Sequence, residues 1–353
     1  MKKLGVSISL VMVALLAPLL HAATQTVPKL VVELKGHAKN IKGLAFSSNG
    51  KQLCSVAEDN EVKIWDVAAR SCIATIHLDD LRSHHVPFSP DGKTIATARK
   101  DSSIKLLEAS TGKLVLNLVG HTEPVVAVAF SADGKMLASA SSVYGRNNSK
   151  DYEGEVRLWD IGKAKHVANI KGDQAPLDVA FSRDSKTLAS TWRGGTIRLL
   201  DVGTGQLSTR KRNDYTIRSM GFSPTGNQIA TVQTSSAPAA PKGMTGPGGG
   251  GPPTESEIWV WETATGKNTD SFVLPGNVFS MAFHPGGINV VTGDYTGMIR
   301  FSDIDTGRGT ASFQGHQGCI DCLAISPDGK TMASGGRDTS TVKLWDISGY
   351  IPR

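Results

Sequence analysis

Residues 315–346 read GHQGCIDCLAISPDGKTMASGGRDTSTVKLWD: a Gly-His pair, an apolar run, a Ser-Pro-Asp-Gly turn, and a second apolar run closed by Trp345-Asp346. The phrase recurs upstream. Its turn appears as SSNG at Ser47, SPDG at Ser89, SADG at Ser131, SRDS at Ser182, SPTG at Ser223, HPGG at His284 and SPDG at Ser326. The closing pairs are Trp65-Asp66, Leu107-Glu108, Trp159-Asp160, Leu200-Asp201, Trp261-Glu262, Ser302-Asp303 and Trp345-Asp346, with second residues 42, 52, 41, 61, 41 and 43 positions apart. A fixed period of this kind marks one supersecondary unit repeated along the chain, each copy burying its apolar face against its neighbours. The two long intervals carry insertions at residues 141–155 (SSVYGRNNSKDYEGE) and 233–257 (QTSSAPAAPKGMTGPGGGGPPTESE).

Within a unit the pattern is that of four short strands with turn residues between them. In the first unit the strands are expected at 41–46, 52–56, 62–65 and 72–76. Pro-Asp-Gly and Asn-Gly suit the tight turns, because Pro presets φ and Gly tolerates positive φ. Inner strands such as VVAVAF (125–130) and LDVAF (177–181) are largely apolar and are expected between neighbouring units as core. KLVVELKGH at 29–37 aligns with KLVLNLVGH at 113–121, the last strand of one unit leading into the next. No Trp-Asp precedes the first of these, and only ISGYIPR follows Trp345-Asp346. Pairing the two ends would complete the seventh unit and remove exposed sheet edges.

On these residues the chain resembles the WD40-repeat family over nearly everything from Leu30 to Ile347. The resemblance implies an all-β fold, a seven-bladed propeller spanning residues 29–348, closed by the N-terminal strand. It also implies a hydrogen-bonded set in each blade, with Trp reaching Ser, Ser reaching His and His reaching Asp. The first unit has His37, Ser55, Asp59 and Trp65; the seventh has His316, Ser334, Asp338 and Trp345; the third has His121, Ser139 and Trp159, its Asp position falling in an insertion. The second unit has Leu107 for Trp, the fourth Gly194 for Asp and Leu200 for Trp, and the sixth Ser302 for Trp. Those three blades are expected to rest on apolar packing. A Ser-His-Asp set also matches a nucleophile triad, but here it repeats between units and includes Trp, which makes it part of a buried lattice.

The resemblance further places both insertions on one face, the top, where they are either tolerated surface loops or contact surfaces. Residues just after the Gly-His turn, and the residue before the Asp, face partners in the family. Here those are Lys42, His84, Asp178, Arg218, Phe279 and Asp321, with Glu58, Lys100, Arg193 and Arg337. Mixed charge with Arg and an aromatic suits protein contacts. The expected role is a non-enzymatic scaffold acting through this face, with no metal or cofactor. The alternative is a periplasmic enzyme or ligand-binding propeller with its site in the central channel, which would need matching carboxylates or His in several blades.

Length and charge narrow the classes. The chain has 353 residues, 39% hydrophobic and 20% charged, with a net charge of +6 and no Lys/Arg run. Nucleic-acid binding calls for a concentrated basic stripe, so none is expected. Residues 1–23 have the three parts of a secretory signal: Lys2-Lys3, an apolar stretch, then His21-Ala22-Ala23. Cleavage after Ala22 or Ala23 would give a periplasmic or secreted protein without a stable membrane span; retention as an anchor is the alternative. Cys54 and Cys72, on strands two apart, would stand about 9–10 Å from each other, beyond the ~7 Å reach of a disulfide. Together with Cys319 and Cys322, they are expected as small buried apolar residues.

Overall fold

A computed structural model describes residues 27–78, 81, 86–142, 153–211, 215–235, 255–287, 289–337 and 340–350. Seven antiparallel sheets follow one another along the chain, six of four strands and one of three. In blade 1 the order from inside outward is Ile41–Phe46, Gln52–Ala57, Glu61–Asp66 and Ser71–His77. The ring closes as the repeat arithmetic requires. Lys29–Leu34 pairs with Val342–Asp346, in a register running from Lys29 opposite Asp346 to Leu34 opposite Val342, and becomes the outer strand of blade 7.

The repeated phrase is explained by its turns. Ser89, Ser131, Ser182 and Ser326 each donate a hydroxyl hydrogen bond of 2.6 Å to the aspartate two residues on, and the turn's last amide returns to the serine carbonyl. That last residue sits at left-handed φ, 70° at Gly92 and 70° at Gly329, where glycine has no steric penalty. Blade 4 places Ser185 there instead, at 61°. The closing aspartate caps the next turn: Asp66 accepts the amide of Ala69 at 2.7 Å and Asp201 that of Thr204 at 2.7 Å.

The core consists of wedges between blades. One cluster joins Cys54, Val56 and Ile64 of blade 1 to Leu78, Leu81, Ile95 and Leu107. Another joins Val291, Ile299 and Phe301 of blade 6 to Ile320, Leu323 and Trp345 of blade 7. Each large side chain so buried contributes about 1.5–3 kcal/mol.

Among the described residues, blade 2 shows three strands where four are expected. Its described strands are Thr94–Ala98, Ile104–Glu108 and Leu114–Leu118. Where an inner strand was expected, Leu81 and Phe88 make isolated bridges to Arg99 and Ile95. Pro87 has no amide to give to a ladder; its carbonyl accepts Ala96 N at 3.1 Å. His84 lies outside the described residues, as do residues 1–23. Both insertions begin and end as strand, in Met136–Ser142 with Gly154–Asp160 and in Gln228–Ser235 with Glu255–Glu262. Residues 143–152 and 236–254 are outside the described residues.

Candidate functional site at the bulged end of the ring

Antiparallel pairing brings the starts of the inner and third strands and the ends of the second and outer strands to one end of each blade. In blade 1, Ile41 faces Ala57 and Glu61 faces His77. At this end six inner strands carry an extra residue. The register skips Lys42 in blade 1, Val126 in blade 3, Leu177 in blade 4, Arg218 in blade 5, Phe279 in blade 6 and Asp321 in blade 7. A bulge re-aims its side chain out of the pleat. The residues before them (Ile41, Val125, Pro176, Ile217, Val278 and Ile320) are buried, whereas the six bulged residues are half-buried or exposed.

Four of the six form a linked surface. Lys42 Nζ donates to Asp321 Oδ2 at 2.7 Å and lies 3.0 Å from Glu58 Oε1. Arg337 Nε reaches both oxygens of Asp321, at 3.0 and 3.1 Å. The guanidinium of Arg337 lies 5.5 Å from the ring centre of Phe279, and that of Arg218 4.8 Å from the same ring, with Tyr295 at 6.2 Å. Burial disfavours the Asp321 carboxylate, yet the bonds from Arg337 and Lys42 outweigh it and hold its pKa below the ordinary range. Lys42 is likewise disfavoured by burial but raised overall by Asp321 and Glu58. The ion pairs are therefore held between blades 1 and 7, and Phe279 of blade 6 and Arg218 of blade 5 complete a cluster across four blades.

The other candidates fall differently. Asp178 is not a bulged residue: it stands one position beyond Leu177 and accepts Val179 N at 2.9 Å. Glu58 joins the cluster, Lys100 is exposed, and Arg193 is half-buried on blade 4. Val126, Leu177 and Tyr295 were not read from the sequence. The bulge inserts one residue into the period-2 pattern, so counting from the Gly-His turn slips by one where the turn is degenerate, as in blade 4.

Buried hydrogen-bonded sets lie in blades 1, 3 and 7. Trp65 Nε1 donates to Ser55 Oγ at 2.8 Å, Ser55 meets His37 Nε2 at 2.7 Å, and His37 Nδ1 meets Asp59 Oδ2 at 2.9 Å. Every polar atom is satisfied when Ser55 donates to His37 Nε2 and Nδ1–H donates to Asp59, which leaves the imidazole neutral. Burial lowers the pKa of His37 accordingly, despite Asp59. In blade 7, Trp345 and His316 meet on Ser334 at 2.8 and 2.7 Å; Asp338 lies outside the described residues. In blade 3 the acid is Glu155, at the foot of the first insertion, whose Oε1 lies 2.8 Å from His121 Nδ1. Ser139 takes Trp159 Nε1 at 2.8 Å and meets His121 Nε2 at 2.6 Å.

Blades 4 and 6 do more than pack. Trp192, on the second strand of blade 4 (Thr187–Trp192), donates to Ser190 at 2.9 Å, so the indole missing from the third strand is supplied from the second. The face of its ring carries Arg198 at 4.1 Å. Ser190→Ala leaves that buried donor without its acceptor and should lower stability by about 1–2 kcal/mol, read from denaturant midpoints; an unchanged midpoint would show that the bond contributes nothing. In blade 6 the buried Asp294 accepts from Thr296 N at 2.8 Å, Thr296 Oγ1 at 2.7 Å and Met298 N at 3.0 Å, and pairs with Arg300 Nη1 at 2.5 Å.

Among the described residues one group, His37, Asp59 and Glu61, has possible metal-ligating atoms within 4.8 Å of one another. His37 and Asp59 already bond each other, and Glu61 pairs with Lys63 at 2.8 Å and His77 at 3.1 Å. All four cysteines are free; Cys72 is exposed, contrary to expectation, because the outer strand turns it to solvent. Burial, reinforced by Asp321, pushes the Cys319 thiol up to about 12, far from a reactive thiolate. Among the described residues no helix is long and apolar enough to cross a membrane.

The WD domain, G-beta repeat (WD40) family profile matches residues 28–66, 70–107, 112–160, 268–303 and 307–346, more than half of the chain. It does not match 161–267, where the displaced Trp192 and the second insertion lie. Among relatives, the chain is 26% identical over 196 residues to the serine-threonine kinase receptor-associated protein of Gallus gallus, covering 55% of this chain and 49% of that one. It is 28% identical over 208 residues to WD repeat-containing protein 91 of Danio rerio, 56% of this chain and 28% of that one. It is also 24% identical over 204 residues to telomerase protein component 1 of Mus musculus, 57% of this chain and 7% of that one. The chain thus spans half or less of the length of these curated relatives. Period, closing strand pair, bulged ring and family profile agree, and the chain belongs to the WD40 repeat family.

Proposed function

We propose that this propeller is a non-enzymatic scaffold that holds protein partners against the bulged end of its ring, and that it does so outside the cytoplasm after removal of residues 1–23. One observation carries the first part: Lys42, Asp321, Arg337, Phe279 and Arg218 form one linked, partly exposed surface across four blades. Closed sheets hold these side chains in place before a partner arrives, which reduces the ordering cost of binding. Arg and aromatic side chains are those that dominate contact energies. A channel enzyme is less well supported, because the bulged positions alternate among Lys42, Val126, Leu177, Arg218, Phe279 and Asp321, with no repeated ligand set. The basic, apolar and small-residue order of residues 1–23 supports export.

A photo-reactive amino acid at position 279 should trap a defined protein in source cells, whereas one at 183, in a turn at the opposite end, should not. Adducts from 183 alone, or none from 279, would sink the scaffold reading. The mature protein should be recovered outside the cytoplasm lacking its first 22 or 23 residues; an intact cytoplasmic chain would end the export reading.

A further inference from the structure

Beside the ion pairs, the cluster holds a cation that has no carboxylate partner among the described residues. Arg337 and Lys42 share Asp321, and Lys42 also has Glu58, so two cations meet two carboxylates. Arg218 adds a third cation. Its contacts among the described residues are the Thr234 hydroxyl at 3.5 Å and the face of Phe279 at 4.8 Å. A cation–π contact orients a guanidinium without neutralising it. The planar group is exposed, preorganised on the ring, and keeps donors for a bidentate acceptor. Tyr295, 47% exposed, extends the apolar side of the same cup.

We infer that the cup of Arg218, Phe279 and Arg337 takes an acidic protein segment. One aspartate or glutamate carboxylate of the partner sits on Arg218, and an apolar or aromatic neighbour of that residue lies on Phe279 and Tyr295. This rests on the scaffold reading and names its partner's chemistry. A single carboxylate matches the single surplus charge. A phosphoryl group, carrying about −1.5 to −2, would bring excess negative charge toward Asp321 and Glu58. A cationic segment would face Arg218 and Arg337 directly.

The test is panning of the mature propeller against a randomised peptide library, followed by anisotropy measurements on fluorescent copies of the peptides retained, at physiological ionic strength. Retained peptides should carry Asp or Glu beside an apolar residue. Converting that acid to its amide should weaken binding about tenfold. Arg218→Gln should weaken the acidic peptide about as much and the amide peptide little, so the two losses do not add. Arg183→Gln, which removes the same charge at the opposite end, should leave affinity unchanged, and a phosphoserine version should bind more weakly than the acid. The inference is overturned by peptides indifferent to amidation, by Arg218→Gln weakening both forms equally, or by a library that yields no ligand. Charge-indifferent peptides that still crosslink at position 279 would overturn it while leaving the scaffold reading standing. Peptides that crosslink only at 183 would overturn both.

Discussion

Asp294→Ala is expected to lower the stability of the propeller by about 3–5 kcal/mol, the scale for breaking a buried charged pair from one side. The carboxylate is fully buried and its contacts are dense: two amides, one hydroxyl and the Arg300 guanidinium. Removing it leaves Arg300, itself largely covered, without its partner and undoes the turn between Asn289–Asp294 and Met298–Asp303. That turn supports the next blade, since the carbonyl of Gly297 accepts the amides of Gly315 and His316 at 2.9 and 3.1 Å. Gly297 holds φ at 86°, and a side chain there would meet the carbonyl oxygen of His316 at 2.0 Å. The loss should appear as a lower denaturant midpoint. The double variant Asp294→Ala, Arg300→Met should recover part of it, because an apolar replacement removes the stranded charge. A single variant within about 1 kcal/mol of the parent, the cost of an ordinary hydrogen bond, would mean that the carboxylate is not the centre of blade 6.

Asp294 also shows what the sequence withholds. Trp65, Ser55, His37 and Asp59 were legible because they recur at fixed spacing, and spacing is what a one-dimensional reading measures. The closing strand was legible for the same reason, KLVVEL at 29–34 copying KLVLNL at 113–118. Asp294 recurs nowhere. It stands two positions before the one where the family keeps its acid, and only the folded turn reveals what it holds. Trp192 is similar, since an indole two residues after Ser190 can satisfy the serine that an indole ten residues later satisfies in blade 1. Glu155 was hidden by an insertion whose length moved the acid out of register. The bulged surface was partly legible: Lys42, Arg218, Phe279 and Asp321 follow from the repeat, whereas Leu177 displaced Asp178 because a bulge shifts alternation by one. That Lys42 meets Asp321 depends on blades 1 and 7, which become adjacent only after closure.

Acidification should weaken the fold before any carboxylate titrates normally, and His121 gives the reason. Burial lowers its pKa from 6.5 to about 4, against the opposing pull of Glu155. In the folded protein the ring therefore stays neutral over a range in which the unfolded chain takes up a proton. The unfolded state binds more protons there, so stability rises with pH across this window and is lost as pH falls from about 6.5 toward 4. For His121 alone the loss approaches about 3 kcal/mol, and the lowered His37 adds a contribution of the same sign. Glu155 extends the effect downward. Burial disfavours its charge, but the bonds from Arg157, Asn169 and His121 hold its pKa below the ordinary value. Its contribution is thus present at neutral pH and lost as pH drops through that lowered value. Urea midpoints should be level near pH 7 and fall steadily below about 6.5, while the His121 ring resonances should hold their neutral positions until pH approaches 4. A His121 that protonates near 6.5 in the folded protein would mean that the chain from Trp159 through Ser139 to Glu155 is open to solvent, and the first insertion would then have no fixed footing on blade 3.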